Sequence, residues 1–322
     1  MRTVICHEFG PPEQLTIEEL NTPEPSEGEV RVELEAWGVN FVDVLMVAGG
    51  YQLRPDLPFV PGLEAAGVVS AVGANAGTVR EGDRVMVGMR PGAFAETVCL
   101  ASDKVLHMPD QLTMEQGACF RSAFNTAYHG LVQGGRLQAG EVALIHGAAG
   151  GMGLAAVQVA KRLGATVVAT ARNLDRLAPA KALGADHLVS YGNGSFRDQV
   201  KAATGGVDVV FDPVGGDVFD ESMRCLNWGA RLVIVGFTAG RPALAKTNHV
   251  LIKGASVVGI RAGEFARRNP AVGRRNIETL LEWAADGSLK SHISHRFDLA
   301  EVSAAMYAID RREVIGRAVL RR

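Results

Sequence analysis

The sequence predicts an α/β protein in two parts, a barrel-like β domain and a six-stranded, doubly wound parallel sheet. Three observations carry that expectation. The chain has 322 residues, more than one core comfortably organises and suited to two domains. Up to about residue 120, short apolar runs are broken by Gly and Pro. Beyond that point apolar runs alternate with helical stretches, the pattern of a parallel sheet.

In the first part, strands are expected over 29–36, 66–72, 84–87 and 94–100. Pro23, Pro25, Pro58, Pro61 and Pro91 fall in the loops, since proline cannot donate to a strand ladder. The second part opens with a strand at 142–146, a helix at 151–163 and a strand at 165–170. A helix at 175–183, a strand at 187–190 and a helix at 196–204 follow, then strands at 207–211, 231–235 and 256–259. Six such strands complete a doubly wound dinucleotide domain. The C-terminal stretch predicts a long amphipathic helix around 274–285, another at 299–309 and a closing strand at 317–320.

Composition narrows the function. Hydrophobic residues at 47% and charged residues at 21% describe a globular chain. A net charge of -2 gives no field for nucleic acid or an acidic membrane, and 6% aromatics offers little for base stacking. The basic clusters Arg267-Arg268 with Arg274-Arg275, and Arg311-Arg312 with Arg321-Arg322, read as solvated surface. Cys6, Cys99, Cys119 and Cys225 are scattered, without the close pairs of a structural zinc site, and read as free thiols. The first eight residues lack a signal-peptide apolar run, and no stretch approaches the roughly 20 apolar residues of a membrane span. A cytoplasmic location is therefore expected, with no membrane or nucleic-acid partner.

The most informative loop is Gly147-Ala148-Ala149-Gly150-Gly151-Met152-Gly153, placed after a strand and opening a helix. Small residues there let the backbone approach a pyrophosphate, and the helix N-terminus offers free N–H groups and a positive dipole end. Ala148 takes the first glycine position of G-x-G-x-x-G, with Gly150 and Gly153 at the second and third. At the end of the next strand, where an NAD enzyme carries an acid for the ribose hydroxyl, stands Arg172, with Arg176 one turn further. Guanidinium groups match a 2′-phosphate, so the cofactor expected is NADP(H).

Gly38-Val39-Asn40-Phe41-Val42-Asp43, Pro61-Gly62-Leu63-Glu64-Ala65-Ala66-Gly67, the glycine loop and Asp212-Pro213-Val214-Gly215-Gly216 together carry a family resemblance. It runs from Pro11-Pro12 to Gly316-Arg317-Ala318-Val319-Leu320. The chain resembles the zinc-independent quinone oxidoreductases, the zeta-crystallin-like branch of the medium-chain dehydrogenases/reductases. The resemblance implies a split GroES-like catalytic domain at 1–122 and 263–322 and a Rossmann domain at 123–262. It also implies a cleft between the domains as the active site, and a homodimer, sometimes a tetramer, formed by sheet edges near 254–260. Zinc-dependent relatives place a cysteine where Asn40 stands and a histidine where Leu63 stands, so no metal is expected. The segment 82–94 also lacks cysteines, and His292-Ile293-Ser294-His295 reads as a polar strand edge before a metal site.

Without a Lewis acid, alcohol oxidation is disfavoured, and hydride transfer to an electrophilic quinone or conjugated carbonyl remains. By resemblance, Asn40 and Thr126 lie beside the nicotinamide. Tyr51 faces the substrate, either as a hydrogen-bond donor to the developing oxyanion or as an aromatic lid. Asp43 is read as structural. For the cofactor the resemblance carries over Gly150, Gly151 and Met152 at the pyrophosphate, Arg172 and Arg176 at the 2′-phosphate, and Tyr191 on the adenosine side. Val214, Gly236, Phe237, Thr238, Ile260 and Arg261 follow at later strand ends, with Arg317 reaching in from the C-terminus. Leu45 and Val47 depart from the tyrosine and arginine of some quinone reductases, which leaves the acceptor open. An enoyl-thioester reductase, with Arg267 and Arg274 near the phosphates of coenzyme A, is an alternative; a redox-inactive NADPH-binding protein is a second.

Overall fold

The computed structural model describes residues 1–192 and 195–322. Its strands are β1 (Arg2–Ile5), β2 (Thr16–Glu19), β3 (Glu29–Val39), β4 (Glu64–Val72), β5 (Arg84–Gly88), β6 (Thr97–Ala101) and β7 (Leu106–His107). They continue as β8 (Val142–Ile145), β9 (Thr166–Ala171), β10 (His187–Ser190), β11 (Val207–Asp212), β12 (Leu226–Ile234) and β13 (Ser256–Gly259). β14 (Ile293–Asp298) and β15 (Arg317–Arg321) close the chain. The chain divides into two compact units, Met1–Ser122 with Lys290–Arg322, and Ala123–Leu289.

In the first unit the sheet order is β14-β15-β3-β4-β5-β7, with β6 also on β3. Alternation along β3 turns Val30, Val32 and Leu34 into the core, and the buried Trp37 donates its indole N–H to the Ala95 carbonyl at 3.0 Å. β3 bends across β4 through two register shifts. Gly67 sits at that bend, where a Cβ would lie 2.0 Å from the Glu33 oxygen. The closing strand lies inside the sheet: β15 pairs with β3 on one side and β14 on the other. β14 had no counterpart among the expected strands, and it takes up most of the His292–His295 segment. There the Ser294 hydroxyl is 2.7 Å from His295 Nδ1.

In the second unit every strand pairing is parallel and the order is β10-β9-β8-β11-β12-β13. The order reverses between β8 and β11, which opens a crevice at the carboxyl ends of the strands. Ala143, Leu144, Ile145, Val209, Val210 and Phe211 are wholly buried, as strands covered on both faces must be. The expected helix at 175–183 is broken into a 3₁₀ turn (Leu174–Leu177) and a helix (Ala178–Ala182), because Pro179 lacks an N–H and can only start a helix. β12 begins five residues before the expected 231, past a register shift.

The domain boundary falls later than expected, at Lys290 rather than 263. The helices Ala262–Arg268 and Pro270–Ala285 pack within the second unit. Phe265 stacks on His129 with ring centres 4.2 Å apart, Trp283 lies 5.6 Å from Tyr128, and Asn276 bonds Gln133 at 3.1 Å. Among the described residues no helix is long and apolar enough to cross a membrane.

Candidate active site

β8 ends at Ile145, and the chain turns through Gly147, whose φ of +59° favours glycine. Gly150 caps the helix Gly151–Arg162 in an extended conformation, so the N–H groups of Gly151 and Met152 stand at a free helix N-terminus. A Cβ at Gly153 would lie 2.2 Å from the Gly147 oxygen, so only glycine lets this helix pack on the turn.

Of the other expected cofactor residues, those that follow strands of this sheet come at the same carboxyl edge. Arg172 follows β9 and is exposed, with Arg176 half-buried behind it. Tyr191 follows β10, edge-on to His146 at 6.5 Å. Val214 follows β11 in a turn held by Asp212, whose Oδ1 accepts from the N–H groups of Val214 (2.8 Å) and Gly215 (2.9 Å). Burial raises the Asp212 carboxyl above its usual range. Gly236, Phe237 and Thr238 follow β12, and both Thr238 donors reach the Pro213 carbonyl, at 3.0 and 3.1 Å. Arg261 is exposed after β13, whereas Ile260 turns its side chain inward, onto Gly130 and Gly134. Thr126 belongs to this unit, half-buried on the helix Arg121–Tyr128.

His146 supports this edge from below, and the sequence reading passed over it as the last residue of a strand. It is wholly buried, with Nδ1 2.7 Å from the Thr170 hydroxyl and Nε2 2.7 Å from the Ser222 hydroxyl. The Ser222 hydroxyl donates to the Val218 carbonyl, so Nε2 carries the proton and Nδ1 accepts from Thr170. Burial lowers its pKa to about 3, which keeps the ring neutral.

The first unit holds a buried polar cluster. Asn40 follows β3 and caps the helix Phe41–Val47, and Asp43 Oδ2 accepts the Asn40 N–H at 2.8 Å. Arg317 has only donors, so the Asn40 oxygen faces it at 2.8 Å, and Asn40 Nδ2 donates to Glu64 Oε1 (3.1 Å) and the Gly38 carbonyl (3.4 Å). Glu64 accepts further bonds from Arg317 Nη2 and from the Ser122 N–H at 2.8 Å. Gly38 keeps this space open, since a Cβ there would stand 2.4 Å from the Ala118 carbonyl and 3.1 Å from Arg317 Nη2. Asp43 is fully buried with Oδ1 unpartnered; burial, helped by the Glu64 charge, raises its pKa to about 7. Burial also pushes the Cys119 thiol up to about 11.

Arg317, expected at the cofactor, bonds Asn40 and Glu64, because β15 pairs with β3 and brings residue 317 alongside Asn40. Tyr51 is half-buried against the apolar core of this unit. The sequence reading also missed Arg121. Its guanidinium lies against Gly88, where a Cβ would be 1.7 Å from Nη1.

The zinc-binding dehydrogenase family model matches residues 151–285, and that of the alcohol dehydrogenase GroES-like domain matches 26–110. The quinone oxidoreductase-like protein 2 homolog of Nematostella vectensis is 34% identical over 325 residues, 99% of this chain and 88% of that protein. The chain belongs to the quinone oxidoreductase family of medium-chain dehydrogenases/reductases. It is accordingly an oxidoreductase. Two solved members of the family extend the likeness to the whole fold. The Thermus thermophilus quinone oxidoreductase, also solved in complex with NADPH, is 32% identical with a TM-score of 0.87 and full coverage of both chains. The Escherichia coli quinone oxidoreductase complexed with NADPH is 28% identical with a TM-score of 0.89, again over the full length of both.

Proposed function

We propose that this protein is an NADPH-dependent reductase that passes hydride to a quinone or another conjugated carbonyl without a metal. The observation that carries this reading is the glycine turn at the carboxyl edge of the second unit's sheet, joined there by an exposed Arg172 at the strand end where NAD enzymes carry an acid. The dinucleotide's pyrophosphate would sit on the N–H groups of Gly151 and Met152, with Arg172 and Arg176 at the 2′-phosphate. The bound nicotinamide would supply the hydride. NADPH in the Escherichia coli and Thermus thermophilus relatives supports the same choice.

The polar cluster does not fit a catalytic zinc ion. Leu63 offers no donor, Asn40 and Glu64 already spend lone pairs on the Arg317 guanidinium, and the Cys119 thiol stays protonated. Both Asn40 N–H groups are also bonded, so towards a ligand Asn40 can only accept, which suits a carboxamide or a sugar hydroxyl. Tyr51, half-buried against the apolar core, would serve either as a hydrogen-bond donor or as an aromatic lid. Two surface facts bear on the other proposals. Glu264 pairs with both Arg267 and Arg268, which weakens the case for coenzyme A phosphates there. β13 is a free sheet edge, in keeping with a homodimer.

The test is loss of NADPH absorbance with a small para-quinone and a short 2-enoyl-CoA in parallel, with NADH and a chelator as controls. The expected result is quinone turnover that prefers NADPH and ignores chelator. A much higher specificity constant with the enoyl thioester would move the assignment to alkene reduction. Alanine at both Arg172 and Arg176 should abolish the preference for NADPH over NADH; an unchanged preference would remove the phosphate assignment.

A further inference from the structure

Arg172 stands one residue past the last pair of the β9–β10 ladder, which joins Ala171 to Ser190. Its side chain is exposed, a charge on a long flexible stem, so what the fold can fix is the backbone from which that stem starts. Two residues at the end of β10 do this. The Ser190 hydroxyl donates to the Arg172 carbonyl at 2.6 Å and accepts the Gly192 N–H at 3.2 Å. Ser190 is itself buried. Gly192 allows the close approach: a Cβ there would lie 2.3 Å from the Arg172 carbonyl oxygen, and one segment would have to give way. Between them the Tyr191 N–H reaches the Ala171 carbonyl at 3.0 Å, which extends the ladder to its last backbone bond here. The turn Ser190–Gly192 therefore clasps the start of the Arg172 loop through a side chain where the strand pairing ends.

We propose that Ser190 is the positioning residue of the 2′-phosphate site: with Gly192 it sets the Arg172 backbone, and through it the choice of NADPH over NADH. The proposal rests on the NADPH reading above. Ser190 acts through Arg172 rather than on the phosphate, because it is buried and its hydroxyl is bonded on both sides. An arginine that clamps a phosphate gives up side-chain freedom, and a backbone already held lessens what remains to be ordered. NADH has no 2′-phosphate and gains nothing from a well-placed Arg172. A residue that merely held the fold together would serve both nucleotides alike, so the two roles separate in the ratio of the two affinities.

The experiment titrates NADPH and NADH, by nucleotide fluorescence, against full-length wild type, Ser190→Ala, Ser190→Thr, Gly192→Ala and Arg172→Ala. Wild type should bind NADPH more tightly than NADH. Ser190→Ala should weaken NADPH by about 5-fold, the worth of one hydrogen bond, and leave NADH as it was. Ser190→Thr keeps the hydroxyl and should keep the preference. Gly192→Ala should also lose NADPH affinity, because its methyl pushes on the Arg172 carbonyl while the Ser190 hydroxyl remains. The double variant of Arg172→Ala with Ser190→Ala decides whether the effect passes through the arginine: it should bind NADPH no more weakly than Arg172→Ala alone. Equal losses for NADPH and NADH in Ser190→Ala would overturn the proposal, and so would a full further loss in the double variant. A wild type without preference for NADPH removes the reading beneath the proposal, and both fall. A wild-type preference that survives unchanged in Ser190→Ala removes the proposal alone. Thermal melts and NADH affinity identify a variant that has lost its fold; where Ser190→Ala has, Gly192→Ala carries the comparison.

Discussion

Asp43 shows what burial does to one carboxyl. Oδ2 is fixed by the Asn40 N–H, while Oδ1 has no partner, and the folded pKa of about 7 stands against an unfolded value of 3.8. Between these values the folded protein keeps a proton that the unfolded chain has released. The contribution of this group is therefore most favourable below pH 4 and is lost as pH rises to about 7, beyond which it is flat. The whole change amounts to at most roughly 4 kcal/mol. Asp43→Asn should remove that slope, so urea unfolding at pH 5 and pH 8 should show a smaller difference in the variant than in wild type; equal differences would mean that Asp43 does not titrate in this window. Asn40 and Asp43 were legible because the motif joining them is continuous in sequence. Arg121 was not, since only the pairing of β4 with β5 tells that Gly88 will lie beneath it. The Arg317 contacts were hidden likewise, because the register of β15 on β3 appears in no local pattern.

At the scale of the element, the glycine turn was readable because strand, small residues and helix follow one another within one segment. The support beneath it was not: Thr170 and Ser222 come from distant parts of the chain and meet only around His146. Replacing His146 with Ala would leave a cavity and two hydroxyls without their ring partner. The expected cost is about 2–4 kcal/mol in unfolding free energy, with NADPH affinity several-fold weaker through a loosened Gly147 turn. Acid should act in the same direction. The folded pKa of about 3 lies below the ordinary 6.5, so the unfolded chain binds the proton first and the second unit loses stability as pH falls through that range. Amide exchange across β8, β9 and β11 at pH 5 and pH 7 reads this directly. Equal protection at both, in wild type and His146→Ala alike, would show that the ring does not hold the turn. The strands of this sheet were placed closely because buried parallel strands are continuous apolar runs. The helix at 175–183 was misjudged because Pro179 outweighs the periodicity around it.

For the whole molecule, the decisive surface is the free edge of the second unit's sheet. The helix Thr247–Lys253, which leads into β13, has no buried residue, and its Leu251 and Ile252 are 79% and 68% exposed. Trp228 is 78% exposed and rests on Gly254, where a Cβ would lie 3.0 Å from the indole. Val250 packs this short helix onto the core, but Leu251 and Ile252 point away from it, and exposed apolar side chains beside an unpaired strand edge are what natural proteins cover. In the proposed homodimer a second copy of the chain would supply that cover with the same edge, as two-fold symmetry requires. The sequence could name the segment 254–260 only through family resemblance, because exposure of Trp228 and Leu251 is a property of the folded surface. Sedimentation equilibrium should therefore give a dimer. Glu at both Trp228 and Leu251 should shift it to monomer, because each subunit would then bury like charges against its twin. Cofactor binding by each chain should persist, since the glycine turn and Arg172 lie at the carboxyl ends of other strands. A wild-type monomer at micromolar concentration would remove the dimer, and an unchanged dimer in the double variant would place the interface on another face.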